Sequence, residues 1–330
     1  MKSFRLFWIL IALALLVLIV VLNRPFTSSP APPLPTPQAA AKTPTEHQWQ
    51  APDENTIPAT PEGELIRYGK ELVAHTALYL GPKGKVATIT NGLNCQNCHI
   101  KAGTQLFGNS FSAVAATYPR YRHRSGITES IEYRVNDCLL RSMNGATLDN
   151  TSREMQAMVH YLKWVGKDVP KGVRPKGAGT EKLPYLERAA DTALGRKVYV
   201  QKCQVCHGAK GEGIWNNEKT AYVYPPLWGN DSYNTGAGLF RLSDFAAYVK
   251  YNMPFGTLYT NPQLTNEEAW DVAAFVNSQP RPHKNFRKDW PDISKKPVDH
   301  PFGPYADPFS ETQHKYGPFL PILSNKKGRP

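Results

Sequence analysis

The pattern of apolar and polar positions predicts a helical chain built from two similar halves. In 64–80, the apolar residues Leu65, Tyr68 and Leu72 recur at helical spacing. The same period, or helix boundary signals, predicts further helices over 128–143, 151–165, 185–202, 242–251 and 265–278. Each half has the order helix, cysteine pair, long loop, helix, helix. The pattern therefore predicts an all-α fold with an internal duplication.

An apolar run over 6–22 follows the basic residues Lys2 and Arg5. Its length is at the lower limit for a membrane-spanning helix and exceeds that of a usual signal-peptide core. The nearest cleavage-like sequence, 39–41, lies too far downstream to serve well. We therefore predict an uncleaved signal anchor over 1–26, with the rest of the chain on the periplasmic side of the cytoplasmic membrane. A cleaved signal peptide with a soluble periplasmic product is the alternative.

Composition divides the remainder of the chain. Pro, Ala, Thr and Ser dominate 27–61, which predicts an extended tether, and Pro, Gly and Lys dominate 170–184, which predicts a linker. We therefore expect a first domain over 62–169 and a second over 185–280. The segment 281–330 is rich in Pro, His and aromatic residues and has no period, so we expect it to wrap over the domains irregularly.

Two Cys-x-x-Cys-His motifs, 95–99 and 203–207, occupy equivalent places in the two halves. This is the c-type haem attachment signature, in which two thiols form thioethers and the histidine binds the iron. A zinc site does not need a histidine directly after each second cysteine, and a thioredoxin-like pair would lie in a βαβ pattern, which is absent. The motifs predict two cytochrome c domains in tandem, each with one covalently bound haem c. The attaching residues are Cys95, Cys98, His99, Cys203, Cys206 and His207.

The formal net charge of +12 indicates an anionic partner. Nucleic acid, a membrane surface, an acidic protein or an anionic substrate would each fit a basic chain. Haem is attached outside the cytoplasm, which argues against nucleic acid. An acidic redox partner and an anionic substrate remain.

Each haem iron needs a second axial ligand or an open site. For the second haem the candidate is Met253, which precedes a proline at a predicted helix end, and methionine with histidine is the usual electron-transfer pair. The alternative is that Met253 is a core residue. For the first haem, Met143 and Cys138 are both candidates.

Cys138 is left over when the haems have used the other four of the five cysteines. Arg134 and Ser142, four residues to either side, share its helical face. Neighbouring guanidinium groups favour a thiolate and can hold an anion against its sulfur. The alternative is a buried structural cysteine with solvated arginines nearby.

At these residues the sequence resembles the dihaem thiosulfate dehydrogenases, also called tetrathionate synthases. The similarity covers nearly everything after the tether. The stretches that carry it are 91–95, 102–105, 107–111, 134–138, 141–145 and 297–305.

The resemblance implies that the two haems have different roles. His99 and Cys138 would bind a first, catalytic haem, and His207 and Met253 a second, electron-transfer haem. It also implies that Arg124, Arg134 and Ser142 line the substrate site. Asn252 stands where some members have a lysine that competes for the iron, so that ligand exchange is not implied here.

The implied reaction joins two thiosulfate ions into tetrathionate, with Cys138 carrying a covalent adduct. Two electrons would pass through both haems to an external carrier, a cytochrome c or a similar acidic protein. The alternatives are a physiological tetrathionate reductase, a haem subunit of the sulfur-oxidising multienzyme system, and a membrane-anchored dihaem electron carrier without a substrate.

Overall fold

The computed structural model describes residues 49–327. The predicted anchor over 1–26, with its apolar run at 6–22, and much of the tether lie outside this range. Within 49–327, no helix is both long and apolar enough to cross a membrane.

The first half contains five regular helices, one distorted helical turn at Ile100–Gly103 and one hairpin in its described residues. Its elements are α1 (Pro61–Ala74), α2 (Thr76–Leu80), α3 (Val114–Thr117), β1 (Arg120–Arg122), β2 (Ile127–Glu129), α4 (Ile131–Arg141) and α5 (Arg153–Val165). Thr60 caps α1 by accepting a hydrogen bond from the Gly63 amide, and Pro61 occupies the first helical position. The first haem motif follows α2 in a short 3₁₀ turn, Cys95–Asn97.

The second half repeats this plan. Its elements are α6 (Thr192–Lys202), α7 (Gln204–His207), β3 (Ile214–Trp215), β4 (Tyr222–Tyr224), α8 (Leu242–Asn252) and α9 (Asn266–Ser278). The fold is therefore helical, as expected. The two antiparallel hairpins, β1–β2 and β3–β4, were absent from the prediction.

A glycine marks the crossing of the first and last long helices in each half. A Cβ on Gly69 of α1 would lie 2.0 Å from the Ala157 carbonyl oxygen of α5. A Cβ on Gly195 of α6 would lie 1.9 Å from the Asp271 backbone carbonyl oxygen of α9. Since no side chain fits at these distances, both helix pairs approach more closely than any other residue would permit. The duplication is thus visible in packing as well as in element order.

Three predicted helix starts were wrong by three residues or more. α4 begins at Ile131 with Ser130 as its cap, because Thr128 pairs with Tyr121 in the hairpin. α6 begins at Thr192, because Asp191 accepts hydrogen bonds from two amides of its first turn. The helix predicted from residue 64 begins at Pro61 and is divided at His75, which has non-helical dihedral angles.

The C-terminal segment contacts both halves. As predicted, it is irregular up to Ser310, apart from the 3₁₀ turn Ile293–Lys295. It then forms two short helices that the sequence did not predict, α10 (Glu311–Tyr316) and α11 (Leu320–Lys327). The Trp290 amide donates to the Arg124 carbonyl at 2.7 Å in the first half. Asp299 binds Arg241 at the start of α8 in the second half.

Residues of α8 link the second half to the first haem motif. The Tyr248 hydroxyl donates to the Asn97 carbonyl at 2.8 Å, and the Asn252 side chain donates to the Phe107 carbonyl at 3.0 Å. The described residues belong to one compact unit. These contacts hold the two haem motifs close to each other.

Candidate haem-binding and active site

The first haem motif opens onto a cavity of about 260 Å³. Cys95, Cys98 and His99 line it, together with Cys138 from α4. Nδ1 of His99 lies 2.6 Å from the Asn109 carbonyl oxygen, which makes Nδ1 the donor and leaves Nε2 as the lone-pair nitrogen. Burial lowers the pKa of His99 to about 4, so the imidazole is neutral, the form that binds iron.

The segment predicted to be a linker helps to orient this histidine. The Asn109 amide donates to the Gly179 carbonyl at 3.0 Å, and the Phe107 amide donates to the Gly177 carbonyl at 2.8 Å. Asn109 and Phe107 both have φ of 57°, a left-handed conformation that needs support from outside the loop. Residues 177–179 provide that support and thereby hold the carbonyl that fixes His99.

The second haem motif lines a larger cavity of about 670 Å³. His207 donates through Nδ1 to the Pro225 carbonyl at 2.8 Å, and burial lowers its pKa, as in the first site. Met253, directly after the last residue of α8, lines the same cavity as Cys203 and Cys206. The apolar lining includes Leu227, Leu239, Phe245, Val249, Val272 and Val276.

Both cavities have the chemistry that a covalently attached haem requires. Each combines paired thiols, a neutral imidazole with a free Nε2, and a further sulfur side chain in a mostly apolar enclosure. The described residues therefore fit two haems c. Met143 as well as Cys138 lines the first cavity, so both sulfur candidates lie within it. Met143 also packs in a buried cluster with Leu93, Leu139 and Tyr222.

Of the four predicted substrate-site residues, three share the first cavity. Cys138, Arg134 and Ser142 line it, in agreement with their common helical face. Proximity to Cys138 is the main reason that the pKa of Arg134 rises above its ordinary value. Arg124 is not among the lining residues, and its guanidinium donates instead to Asp137.

Asp137 is the centre of a charge network that the sequence analysis missed. Its carboxylate accepts hydrogen bonds from Arg124, Arg134 and Arg141. Burial alone would raise the pKa of Asp137, but these three guanidinium groups lower it, so the carboxylate is ionised. Asp137 follows Arg134 by three residues and precedes Arg141 by four. This spacing was a signal that could have identified it.

Arg141 connects the network to the C-terminal segment. Its Nη1 and Nη2 each donate to one oxygen of Asp289 at 2.7 Å. Its guanidinium carbon also lies 3.7 Å from the centre of the Phe286 ring. Nothing in the local sequence around Asp289 indicated this contact.

Comparison with known proteins supports the same division of the chain. The family model described as SoxA/TsdA, cytochrome c domain, matches residues 85–170, and the cytochrome c model matches 192–280. These matches confirm two tandem cytochrome c domains, each implying a covalently bound haem c. The prediction of two haems is therefore correct.

The curated proteins to which most of this chain is similar are named thiosulfate dehydrogenase. The chain is 40% identical to a thiosulfate dehydrogenase from Psychrobacter arcticus, over 73% of this chain and 71% of that protein. It is 37% identical to a thiosulfate dehydrogenase from Allochromatium vinosum, over 67% and 79%. Among solved structures, thiosulfate dehydrogenase (TsdBA) from Marichromatium purpuratum, in its "as isolated" form, matches with a TM-score of 0.66 and 31% identity. That match covers 73% of this chain but only 50% of the other.

Proposed function

The chain belongs to the thiosulfate dehydrogenase family, and we propose that it joins two thiosulfate ions into tetrathionate and passes two electrons to an external carrier. One observation carries the proposal. Cys138, which is not part of either haem motif, lines the same cavity as the first haem motif and lies beside Arg134 and Ser142. An electron carrier without a substrate would not need a thiol and a guanidinium on the lining of a haem cavity.

In the proposed reaction, Cys138 is the nucleophile. Its thiolate forms a sulfur–sulfur bond with the outer sulfur of one thiosulfate, and this step releases two electrons. A second thiosulfate then attacks the same sulfur, forms the central bond of tetrathionate and releases the Cys138 thiolate. Haems held by the two Cys-x-x-Cys-His motifs would supply the sites that accept electrons one at a time.

The arginines of α4 counteract the repulsion between two dianions. Arg134 lines the cavity, and its planar guanidinium matches a pair of sulfonate oxygens. Asp137 holds Arg134, Arg124 and Arg141 together, and three cations against the carboxylates of Asp137 and Asp289 leave one positive charge at the site. Arg124 adds positive charge through its contact with Asp137, although it does not line the cavity. Ser142 would donate a hydroxyl hydrogen bond to a substrate held beside Cys138.

The second cavity is proposed to hold the electron-exit haem, with His207 and Met253 as its iron ligands. The contact between Tyr248 and Asn97 supports this order, because it holds the second domain against the first haem motif. An acidic redox protein, such as a cytochrome c, fits the basic charge of the chain as the acceptor.

We further propose that the apolar run at 6–22 anchors the protein on the periplasmic side of the cytoplasmic membrane. Its length and the absence of a nearby cleavage site support this. Cell fractionation and N-terminal sequencing test it. Recovery of a soluble mature protein that begins beyond residue 27 would favour the cleaved signal peptide.

The decisive experiment compares Cys138→Ser with Met143→Leu as its matched control. Oxidation is measured with thiosulfate and ferricyanide, and reduction with tetrathionate and a low-potential electron donor, so that both directions are tested. We expect Cys138→Ser to keep both haems but to lose the thiolate-type spectrum of the first haem and turnover in both directions. Met143→Leu should retain both properties. Near wild-type thiosulfate oxidation by Cys138→Ser would refute the covalent mechanism, and the ratio of the two rates in the wild type reports the preferred direction.

A further inference from the structure

Three arginines line the first cavity without a role in the proposed substrate chemistry. They are Arg120 and Arg122 from β1 and Arg174 from the segment between the domains. With Arg134, four guanidinium groups line the cavity, and no Asp or Glu is among its described lining residues. Such a concentration of positive charge around a largely apolar cavity indicates an anionic occupant.

The fold directs these arginines to the cavity by two separate routes. In β1, residues two apart point to the same face, so Arg120 and Arg122 lie together while Tyr121 between them is 56% exposed. Arg174 is held by a hydrogen bond of 2.8 Å from its Nη2 to the Ala178 carbonyl. A Cβ on Gly179, whose φ is +77°, would lie 2.6 Å from this Nη2, so the glycine leaves room for the guanidinium.

Their charge is only partly balanced by protein groups. Within the described part of the chain, the ion pair of these three arginines is that between Arg122 and Glu129, with Nε and Oε2 4.0 Å apart. Glu129 is 1% exposed, and its Oε2 has no hydrogen-bond partner. Three guanidinium groups against one carboxylate leave a surplus of two positive charges. Burial, followed by repulsion from Arg120 and Arg122, lowers the pKa of Arg174, as expected for cations that lack a counter-charge.

We propose that Arg120, Arg122 and Arg174 bind the two propionate carboxylates of the first haem. A haem joined through its vinyl groups to Cys95 and Cys98 carries two propionates on the opposite edge of the porphyrin. Two ionised carboxylates match the surplus charge, and guanidinium groups bind carboxylates with paired hydrogen bonds. The segment between the domains is then part of the haem site. It supports the carbonyl that orients His99 and also delivers a propionate-binding arginine.

A free thiosulfate ion presents similar oxygens and is the other possible source of the charge. The surroundings of Arg120, Arg122 and Arg174 favour the propionates over thiosulfate as the anion that they bind. Arg134 interacts most strongly with Cys138, whereas Arg174 interacts with Arg120 and Arg122, and Tyr118 is a neighbour of both Arg134 and Arg174. The cavity thus has one guanidinium on the helix that carries Cys138, and three others that come from β1 and from the segment between the domains.

The test is Arg174→Gln in the full-length dihaem protein, with Arg153→Gln as the matched control. Arg153 lies in the same domain, does not line the cavity and stacks on Tyr68, yet its replacement removes the same charge. The midpoint potential of each haem is measured by optical titration without thiosulfate, and the second haem serves as an internal reference. We expect Arg174→Gln to lower the potential of the first haem alone, because losing a cation near the propionates favours the ferric state. Arg153→Gln should leave both potentials unchanged, and haem content should be unchanged in both variants.

Three outcomes would overturn the proposal. A raised KM for thiosulfate with an unchanged first-haem potential would assign the arginines to the free anion. Equal shifts of both haems, or a shift of the first haem in Arg153→Gln, would indicate a long-range charge effect. An unchanged potential and an unchanged KM would leave the arginines without a ligand. If Arg174→Gln does not accumulate, Arg122→Gln is measured by the same titration, with the same outcomes for and against.

Discussion

Arg141 and Asp289, 148 positions apart, are joined by two hydrogen bonds of 2.7 Å each. This pair connects the C-terminal segment to the helix that bears Cys138. Since Arg141 also donates to Asp137, and Asp137 accepts from Arg134, the pair is one link in a chain of contacts that ends on the cavity lining. The C-terminal segment therefore takes part in positioning the proposed substrate site.

Replacing Asp289 with asparagine should weaken substrate binding. Arg141 would lose its charged partner and Asp137 would bind it alone, which changes the position of Arg134. We expect a KM for thiosulfate several-fold above that of the wild type and a free energy of unfolding lower by about 1–3 kcal/mol. Steady-state kinetics and denaturant titration measure these. Asp292→Asn, an exposed carboxylate that caps a 3₁₀ turn, is the control. Equal kinetics in the two variants would separate Asp289 from the substrate site.

Met253→Leu should change the second haem and leave the first unaltered. Leucine preserves the volume of the side chain but cannot donate sulfur to the iron. We expect loss of the thioether-to-iron absorption band, a lower potential for the second haem and slower reduction of an external cytochrome. Met155→Leu, a fully buried methionine that lines neither cavity, is the control. Persistence of the band in Met253→Leu would show that Met253 is not the ligand.

Gly195→Ala should destabilise the second domain. Its Cβ would lie 1.9 Å from the Asp271 carbonyl oxygen, so α6 and α9 would have to separate. Overpacking of this kind costs about 1–3 kcal/mol, seen as a lower thermal midpoint. Gly238→Ala adds the same methyl where nothing lies within 4 Å and should have little effect. Equal midpoints for the two variants would mean that the helix crossing tolerates a side chain.

Asp299 should make stability depend on pH. Burial alone would raise its pKa, but the Arg241 guanidinium and hydrogen bonds from Ser243 lower it. A lowered folded-state pKa stabilises the protein fully above the unfolded value of about 3.9, and this contribution disappears as the pH falls through the folded pKa. Asp299→Asn should therefore cost about 3–5 kcal/mol at pH 7 and progressively less below about pH 4.

Denaturant titrations of wild type and Asp299→Asn between pH 3 and pH 8 measure this difference. Asp168→Asn changes an exposed carboxylate in the first domain and serves as the control. A difference between wild type and Asp299→Asn that stays constant down to pH 3 would contradict an ionised Asp299.

The sequence predicted what depends on local spacing. The haem motifs, the repeated helices and the common face of Arg134, Cys138 and Ser142 all follow from residues a few positions apart. Thr128 was misassigned because its pairing with Tyr121 depends on a hairpin that no period revealed.

Long-range contacts could not be predicted from such spacing. Asp289 reaches Arg141, and Gly179 binds Asn109, only because the chain returns to the first domain twice. The segment around Gly179 has the composition of a linker. That composition also suits a chain that must follow a haem cavity closely, where glycine carbonyls and amides replace side chains.

The return of the C-terminal segment to the first domain imposes an order on biogenesis. Synthesis completes the first domain before Asp289 and Trp290 leave the ribosome, and domains generally fold in the order in which they are made. The first domain can therefore fold while Arg141 and the Arg124 carbonyl still lack their C-terminal partners. We expect the proposed substrate site to be complete only after the C-terminal segment has docked, so a product truncated before Asp289 would lack the contacts that hold Arg141 in place.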